Sequence, residues 1–283
     1  MRTAPARSEK GNAMRTIAIF NLKGGVAKTL TTAAMADILA MDHGRRILCI
    51  DADGQGNLSQ YFGIPAEDGQ TLLDLLQGTC EAYYPDFVSA ARPGIDLIPA
   101  DMSLMFADVD AIKDGRCNLQ AIAELRDAIE EDNQADDDAY VHGYDYILVD
   151  CPPAFSAAST AALTAADEVI IPVRLDAFST AGMAELLKQV ANMRRINERL
   201  RVAGILATQY QRTPEEEAAL RYLSVNSGLY VYRSRIRLSP KVGAATFARE
   251  PLITFSPHSG AAKDYRRFVL EFLEQEGGRK DGR

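Results

Sequence analysis

Short, near-continuous apolar runs recur at Thr16–Phe20, Arg46–Ile50, Asp96–Pro99, Tyr146–Val149, Glu168–Pro172, Val202–Thr208 and Leu229–Tyr232. Strands that are apolar at odd and even positions alike belong in a parallel sheet covered on both faces. Between them, helical periodicity runs over Lys28–Met41, Leu119–Glu131, Ser159–Ala166, Thr180–Leu200 and Pro214–Leu223, with a last helix predicted at Ala261–Glu276. Alternating strands and helices predict one doubly wound α/β domain over residues 14–276, a mainly parallel sheet with helices on both faces. Its ligand belongs at the carboxyl ends of the strands. Residues 64–95 and 100–117 are less regular and predict short helices, while Glu130–Gly143 reads as an acidic exposed loop. Residues 1–13 are polar and basic and predict a disordered leader; residues 277–283 predict a flexible tail.

The first strand runs into Phe20-Asn-Leu-Lys-Gly-Gly-Val-Ala-Lys-Thr-Leu, at the start of a predicted helix. A glycine-bearing turn between strand and helix aims backbone N–H groups at one spot, where the helix N-terminus adds positive potential. Residues Gly24, Gly25, Val26, Ala27, Lys28, Thr29 and Leu30 therefore form a candidate phosphate cradle. Lys28 is placed to reach the β- and γ-phosphates and the Thr29 hydroxyl to ligate magnesium. The strict pattern G-x-x-x-x-G-K-[ST] is not met, because Leu22 and Ala27 stand at its glycine positions. A methyl at Ala27 would crowd a phosphate, although a position in the first helical turn accommodates a Cβ.

Two further strand ends carry carboxylates. Asp51-Ala-Asp53 follows the second strand and can orient a water or a magnesium shell. Asp150 ends the strand Tyr146-Ile-Leu-Val, as a Walker B carboxylate does, and is followed by Cys151-Pro152-Pro153.

The run Lys23–Thr29 resembles the deviant Walker A box of the ParA/MinD family, K-G-G-V-G-K-T, matching everywhere except Ala27. Asp51–Asn57 is similar to that family's D-x-D-P-Q-G-N box with Gly54 for proline, and Asp150–Pro153 to its D-C-P-P signature. Val169–Gly182, Gly204–Tyr210, Arg237-Leu-Ser239 and Gly260–Tyr265 extend the likeness through most of the chain, most closely to ParA/Soj DNA-partition ATPases. The resemblance implies a P-loop NTPase fold, with ATP and Mg2+ as cofactors. It implies that Lys23 crosses a homodimer interface to the partner's nucleotide, that Asp53 positions the attacking water, and that Asp51 lies near the magnesium shell. Gln209 and Tyr210 become candidates for contacting adenine. It further implies slow ATP hydrolysis stimulated by a ParB-like centromere-binding partner, non-specific DNA binding by the ATP dimer, and a cytoplasmic, nucleoid-associated protein serving plasmid or chromosome partition.

Composition sharpens this in three places. The net charge of −8 argues against a whole-molecule polyanion binder. Residues 101–150 carry fourteen acids and three bases, however, whereas residues 185–250 carry twelve bases and six acids. Arg233, Arg235 and Arg237 alternate along an extended run; with Lys241 and with Arg194, Arg195, Arg199 and Arg201 they either line a DNA-phosphate surface or form a solvated charged face. Cys49, Cys80, Cys117 and Cys151 show no C-x-x-C pairing, and His43, His142 and His258 make no cluster, so neither a disulfide framework, a transition-metal site nor an iron–sulfur carrier is expected. No apolar stretch approaches the ~20 residues that span a bilayer. The alternative, a MinD-like membrane-cycling ATPase, needs a basic amphipathic C-terminal helix, and Val269-Leu-Glu-Phe-Leu-Glu-Gln-Glu276 is acidic.

Overall fold

A computed structural model describes residues 13–66, 71–78, 87–113, 115–134 and 143–280. Its strands are β1 (Arg15–Ile19), β2 (Ile47–Asp51), β3 (Ser89–Arg92), β4 (Ile95–Ile98), β5 (Tyr146–Asp150), β6 (Glu168–Arg174), β7 (Arg201–Tyr210) and β8 (Val231–Arg237). They form one sheet in the order β3-β4-β2-β5-β1-β6-β7-β8, parallel throughout except for the antiparallel pair β3–β4. The helices are α1 (Lys28–His43), α2 (Asn57–Phe62), α3 (Leu72–Gln77), α4 (Met105–Lys113), α5 (Ala121–Gln134), α6 (Ala157–Ala165), α7 (Ala177–Met193), α8 (Pro214–Asn226), α9 (Pro240–Ala248), α10 (Leu252–Phe255) and α11 (Gly260–Lys280).

The central strands are apolar at every position because both faces are covered. Alternate residues of β1, β2 and β5 divide between two cores: Ala18, Leu48, Ile50, Ile147 and Val149 on one face, Ile17, Ile19, Ile47, Cys49 and Leu148 on the other. The first core is completed by α3, α5, α6, α7 and α8, the second by α1, α2, α10 and α11. Helix α1 lies deep in the second core, so the helix that opens at the phosphate loop is braced along most of its length. Arg15 of β1 pairs with Glu168 of β6 at 2.5 Å and with Glu276 of α11 at 3.1 Å, fixing the last helix at the amino end of the sheet.

The expected doubly wound architecture is present, with local differences. Helix α7 stops at Met193, short of the predicted Leu200. The buried Asn197 amide donates to the carbonyls of Leu163 and Ala166 (3.0 and 2.6 Å), which draws the chain out of the helix. Strand β8 runs on to Arg237, because Tyr232 and Ile236 both face the second core. Helix α5 continues to Gln134, so the first part of the predicted acidic loop is helical, and α11 crosses Gly277 and Gly278 where a tail was expected. Strand β3 and helices α2, α9 and α10 were not predicted. The leader residues 1–12, Cys80, the triplet 136–138 and residues 281–283 lie outside the described residues.

Candidate nucleotide site

The carboxyl ends of β1, β2 and β5 lie side by side, since Ile19 is in register with Asp150 and Asp150 with Asp51. The chain passes from β1 through α1 to β2 on one side, and β6 flanks β1 on the other. This is the topological switch point at which open α/β sheets take their ligands.

Residues 21–27 form the turn between β1 and α1, and other strands pin it. The Asn21 amide donates to the Pro172 carbonyl at 2.8 Å while its Oδ1 accepts from the Lys23 N–H at 3.0 Å. The Thr208 hydroxyl donates to the Val26 carbonyl at 3.0 Å, and the Gln209 amide to the Gly25 carbonyl at 2.6 Å. The Gly25 and Val26 carbonyls are thus drawn toward β7, while Asn21 anchors the start of the turn to β6. Gly25 has φ 71° and Ala27 has φ 64°. Ala27 is therefore the N-cap of α1 in the left-handed region rather than a first-turn helical residue, which corrects the expectation that the helix absorbs its methyl. An alanine there carries strain of about 1–2 kcal/mol.

The two lysines of the loop go to different places. Lys28 is buried, with its ammonium 3.2 Å from the Lys23 carbonyl. Burial lowers its pKa, opposed chiefly by the charge of Asp150. Lys23 is half-buried and pairs at 2.5 Å with Asp176, just beyond β6.

Asp150 is fully buried, and neither carboxylate oxygen has a hydrogen-bond partner within ordinary limits. Burial, then the nearby charge of Asp51, raises its pKa well above the usual range, with the Thr29 hydroxyl and Lys28 offsetting only part. Asp51 differs. Its Oδ2 accepts from the N–H and hydroxyl of Ser59 at 2.8 Å each, and its Oδ1 from the Asp53 N–H at 3.2 Å. Burial raises it to about 6 despite these bonds. Asp51 thus shapes the following loop, and Asp150 is the carboxylate left open. In that loop Asp53 is half-buried and accepts from the Gln55 N–H at 3.0 Å. A Cβ on Gly56 (φ 62°) would fall 2.7 Å from the Ala100 carbonyl, so only glycine lets the loop pass there. The Cys151 thiol, fully buried, is pushed up by burial and is no nucleophile.

The structure brings Lys23, the phosphate loop, Asp51, Asp53 and Asp150 together, but it treats the outer candidates differently. Gln209 rests on the phosphate loop, and Tyr210 hydrogen-bonds Glu217 and lies 5.1 Å beneath the Arg235 guanidinium. Arg233, Arg235 and Arg237 each pair with carboxylates, while Lys241 is exposed at the start of α9. Arg195 and Arg199 are exposed but precede β7, whereas Arg237 is level with Tyr210 at its far end, so ~30 Å of strand separates the groups. They do not form one surface with the β8 arginines. Sequence reasoning missed Asn21, Asp176, Ser59 and Thr208; of these only Asn21, next to the glycine turn, carried a local signal.

Comparison with known proteins bears on this geometry. The AAA_31 family model, an AAA domain, matches residues 14–202. The chain is 34% identical over 249 residues to the chromosome partitioning protein ParA of Caulobacter vibrioides, covering 86% of this chain and 88% of that protein. It is 36% identical to the chromosome-partitioning ATPase Soj of Thermus thermophilus, covering 70% of each. The chain belongs to the ParA/Soj family of partition ATPases. Among solved structures, cobyrinic acid a,c-diamide synthase of Mycobacterium smegmatis, with ADP and magnesium bound, superposes with a TM-score of 0.76 at 26% identity, covering 95% of this chain and 97% of that one.

This ParA/Soj-type chain is an ATPase, with ATP and Mg2+ as its cofactors. Its residues fit the cation. The open carboxylate of Asp150 and the Thr29 hydroxyl sit beside the cradle, and magnesium asks for one or two carboxylates, phosphates and water rather than a closed protein cage. Accordingly, no cluster of three or more His, Cys, Asp or Glu side chains able to hold a metal occurs among the described residues. When bound, magnesium neutralises charge on the β- and γ-phosphates. No helix among the described residues is long and apolar enough to cross a membrane.

Proposed function

We propose that this chain forms an ATP-dependent homodimer that binds DNA without sequence preference and releases it after hydrolysis stimulated by a centromere-binding partner. The observation that carries this reading is the opposed placement of the two loop lysines. Lys28 is buried in its own cradle, so it serves the phosphates of its own chain. Lys23 instead turns to Asp176 beyond β6 and stays partly exposed there, which leaves it for a second subunit's nucleotide. Asp53, half-buried at the end of β2, orients the attacking water; Asp150 and Thr29 hold magnesium. A site completed by a partner chain turns over slowly alone.

For DNA, the reading uses Arg233, Arg235 and Arg237 of β8 with Lys241, near the nucleotide end of the sheet. Arginine and lysine side chains on a strand and at a helix start meet phosphates rather than base edges, so recognition is independent of sequence. Molecular mass measured by light scattering with ATP and with ADP tests the core of the proposal. A dimer with ATP in the wild type, lost in Lys23→Ala while ATP still binds, is expected; a monomer under both nucleotides overturns it.

A further inference from the structure

The exposed side of β8 carries a cavity of about 780 Å³ between α8 and α11. Five arginines line it: Arg212, Arg233, Arg235, Arg237 and Arg267. Four acids line it too, so its net charge is close to zero despite its basic composition.

The acids are of two kinds. Glu271 and Asp264, both of α11, are buried, and their carboxylates hold the backbone of the edge strand. Glu271 accepts from the N–H groups of Arg233 and Ser234 at 2.7 and 2.9 Å, and Asp264 from the Arg237 N–H at 3.2 Å. Asp264 also takes the Arg237 guanidinium at 2.6 and 2.9 Å. Removing either would leave buried groups without partners, so these two acids are part of the fold.

Glu217 of α8 and Glu274 of α11 support no backbone in this way. Glu217 accepts from Arg235 at 2.9 Å and from the Tyr210 hydroxyl, and Glu274 lies 3.8 Å from Arg233, whose nearer carboxylate is that of Glu271 at 3.5 Å. The Glu217 and Glu274 side chains are 30% and 72% exposed. Ion pairs that stay open to solvent, partly for Glu217 and largely for Glu274, are weak enough for another anion to displace.

We propose that Glu217 and Glu274 act as built-in competitors for the DNA phosphates, Glu217 occupying Arg235 and Glu274 adding to Glu271 at Arg233, until a polyanion of higher charge density exchanges for them. This inference rests on the reading of β8 as the DNA surface and adds its regulation. A subunit whose arginines are already paired binds a phosphate backbone poorly, and the exchange becomes favourable when dimerisation presents two such cavities to one duplex. The two acids thereby set DNA affinity low enough to depend on the nucleotide state. The consequence is counter-intuitive for acids on an acidic protein: their neutralisation strengthens DNA binding while the phosphate loop, Asp53 and Asp150 stay unaltered.

The test is a salt titration of duplex DNA binding by fluorescence anisotropy, using ATP-loaded protein and two unrelated DNA sequences. Wild type, Glu217→Gln, Glu274→Gln and Glu217→Gln/Glu274→Gln are compared, and thermal melting confirms that each is folded. Glutamine keeps a hydrogen-bond acceptor for Tyr210 and removes only the charge. Three- to tenfold tighter binding to both sequences is expected in the double variant, with a steeper salt slope by up to about one for each acid neutralised. Wild-type binding with unchanged or weaker binding in folded variants overturns the inference and leaves the DNA reading standing. Failure of wild type and of all variants to bind at low salt, with ATP-dependent dimerisation intact, overturns both.

Discussion

The Lys23 ammonium and the Asp176 carboxylate form an ion pair of 2.5 Å that ties the phosphate loop to the segment following β6, across 153 residues of sequence. The cation that the proposed dimer presents to its partner's nucleotide is thus held within its own chain, by a partly exposed pair of modest strength. Asp176→Asn is expected to leave ATP affinity unchanged and to lower the protein concentration needed for ATP-dependent dimerisation. A pair this open to solvent is worth up to ~1 kcal/mol, and a homodimer contains two of them, which sets a ceiling of about 30-fold. Sedimentation across a dilution series reads the shift; dimerisation weakened in Asp176→Asn would show instead that the pair positions Lys23.

Removing the buried lysine has a different outcome. Lys28→Ala is expected to abolish nucleotide binding, measured by calorimetry with ADP and with ATP, because no other ammonium is buried in the cradle among the described residues. Lys23→Ala is expected to retain nucleotide and lose the dimer.

Ala27 stores strain that a glycine releases. The left-handed conformation costs an alanine about 1–2 kcal/mol, and glycine gives back ~0.5–1 kcal/mol of that through the greater entropy of the unfolded chain. Ala27→Gly should therefore stabilise the nucleotide-free protein by about 0.5–1 kcal/mol, a rise of ~1–4 °C in melting temperature. ATP affinity should change by less than about tenfold, since at most ~1.4 kcal/mol is available. A lower melting temperature would mean that the methyl makes contacts worth more than the strain.

Much of this was legible in the sequence, for identifiable reasons. The central strands were, because burial on both faces makes Ile47–Ile50 and Ile147–Val149 continuous apolar runs. Strand β3 was not: Ser89-Ala-Ala-Arg92 lies at the sheet edge with every residue at least partly exposed, and leaves no pattern. Helix α9 buries only Ala245, so its periodicity is equally faint. Within the site, the cradle and the strand-end acids sit in contiguous motifs and could be read directly. Asp176 acquires its role from a residue on another strand, and the division of labour between Asp51 and Asp150 depends on Ser59 reaching one and not the other. Nor does sequence reveal that Ala27 caps its helix with a positive φ.

Buried Asp150 sets a pH dependence with a defined sign. Its native pKa lies above the unfolded value, as does that of Asp51 at about 6. The native state therefore holds protons that the unfolded chain releases. The stability these groups contribute is present at acid pH and lost as pH rises through their native values. Asp150→Asn removes the larger conflict, so its melting temperature without nucleotide should exceed that of wild type at pH 8, by a margin that shrinks toward pH 5. With Mg-ATP the order reverses, because wild type gains ligand stabilisation that the variant lacks. A margin that grows on acidification would contradict this assignment.

Asp53 tests the chemical step in isolation. Asp53→Ala should bind ATP normally, dimerise and fail to hydrolyse, so the ATP-bound dimer persists for hours by light scattering. Turnover equal to wild type would remove Asp53 from the mechanism.

The coupling of nucleotide to DNA is read most directly by titrating one duplex, at low salt, with the protein carrying no nucleotide, ADP or ATP. Asp53→Ala serves for the ATP arm so that hydrolysis does not blur the state. Tight binding with ATP alone, equal for unrelated sequences and falling steeply with added salt, is the expected result. Equal affinity in all three states, or no binding with ATP while the dimer forms, would contradict it.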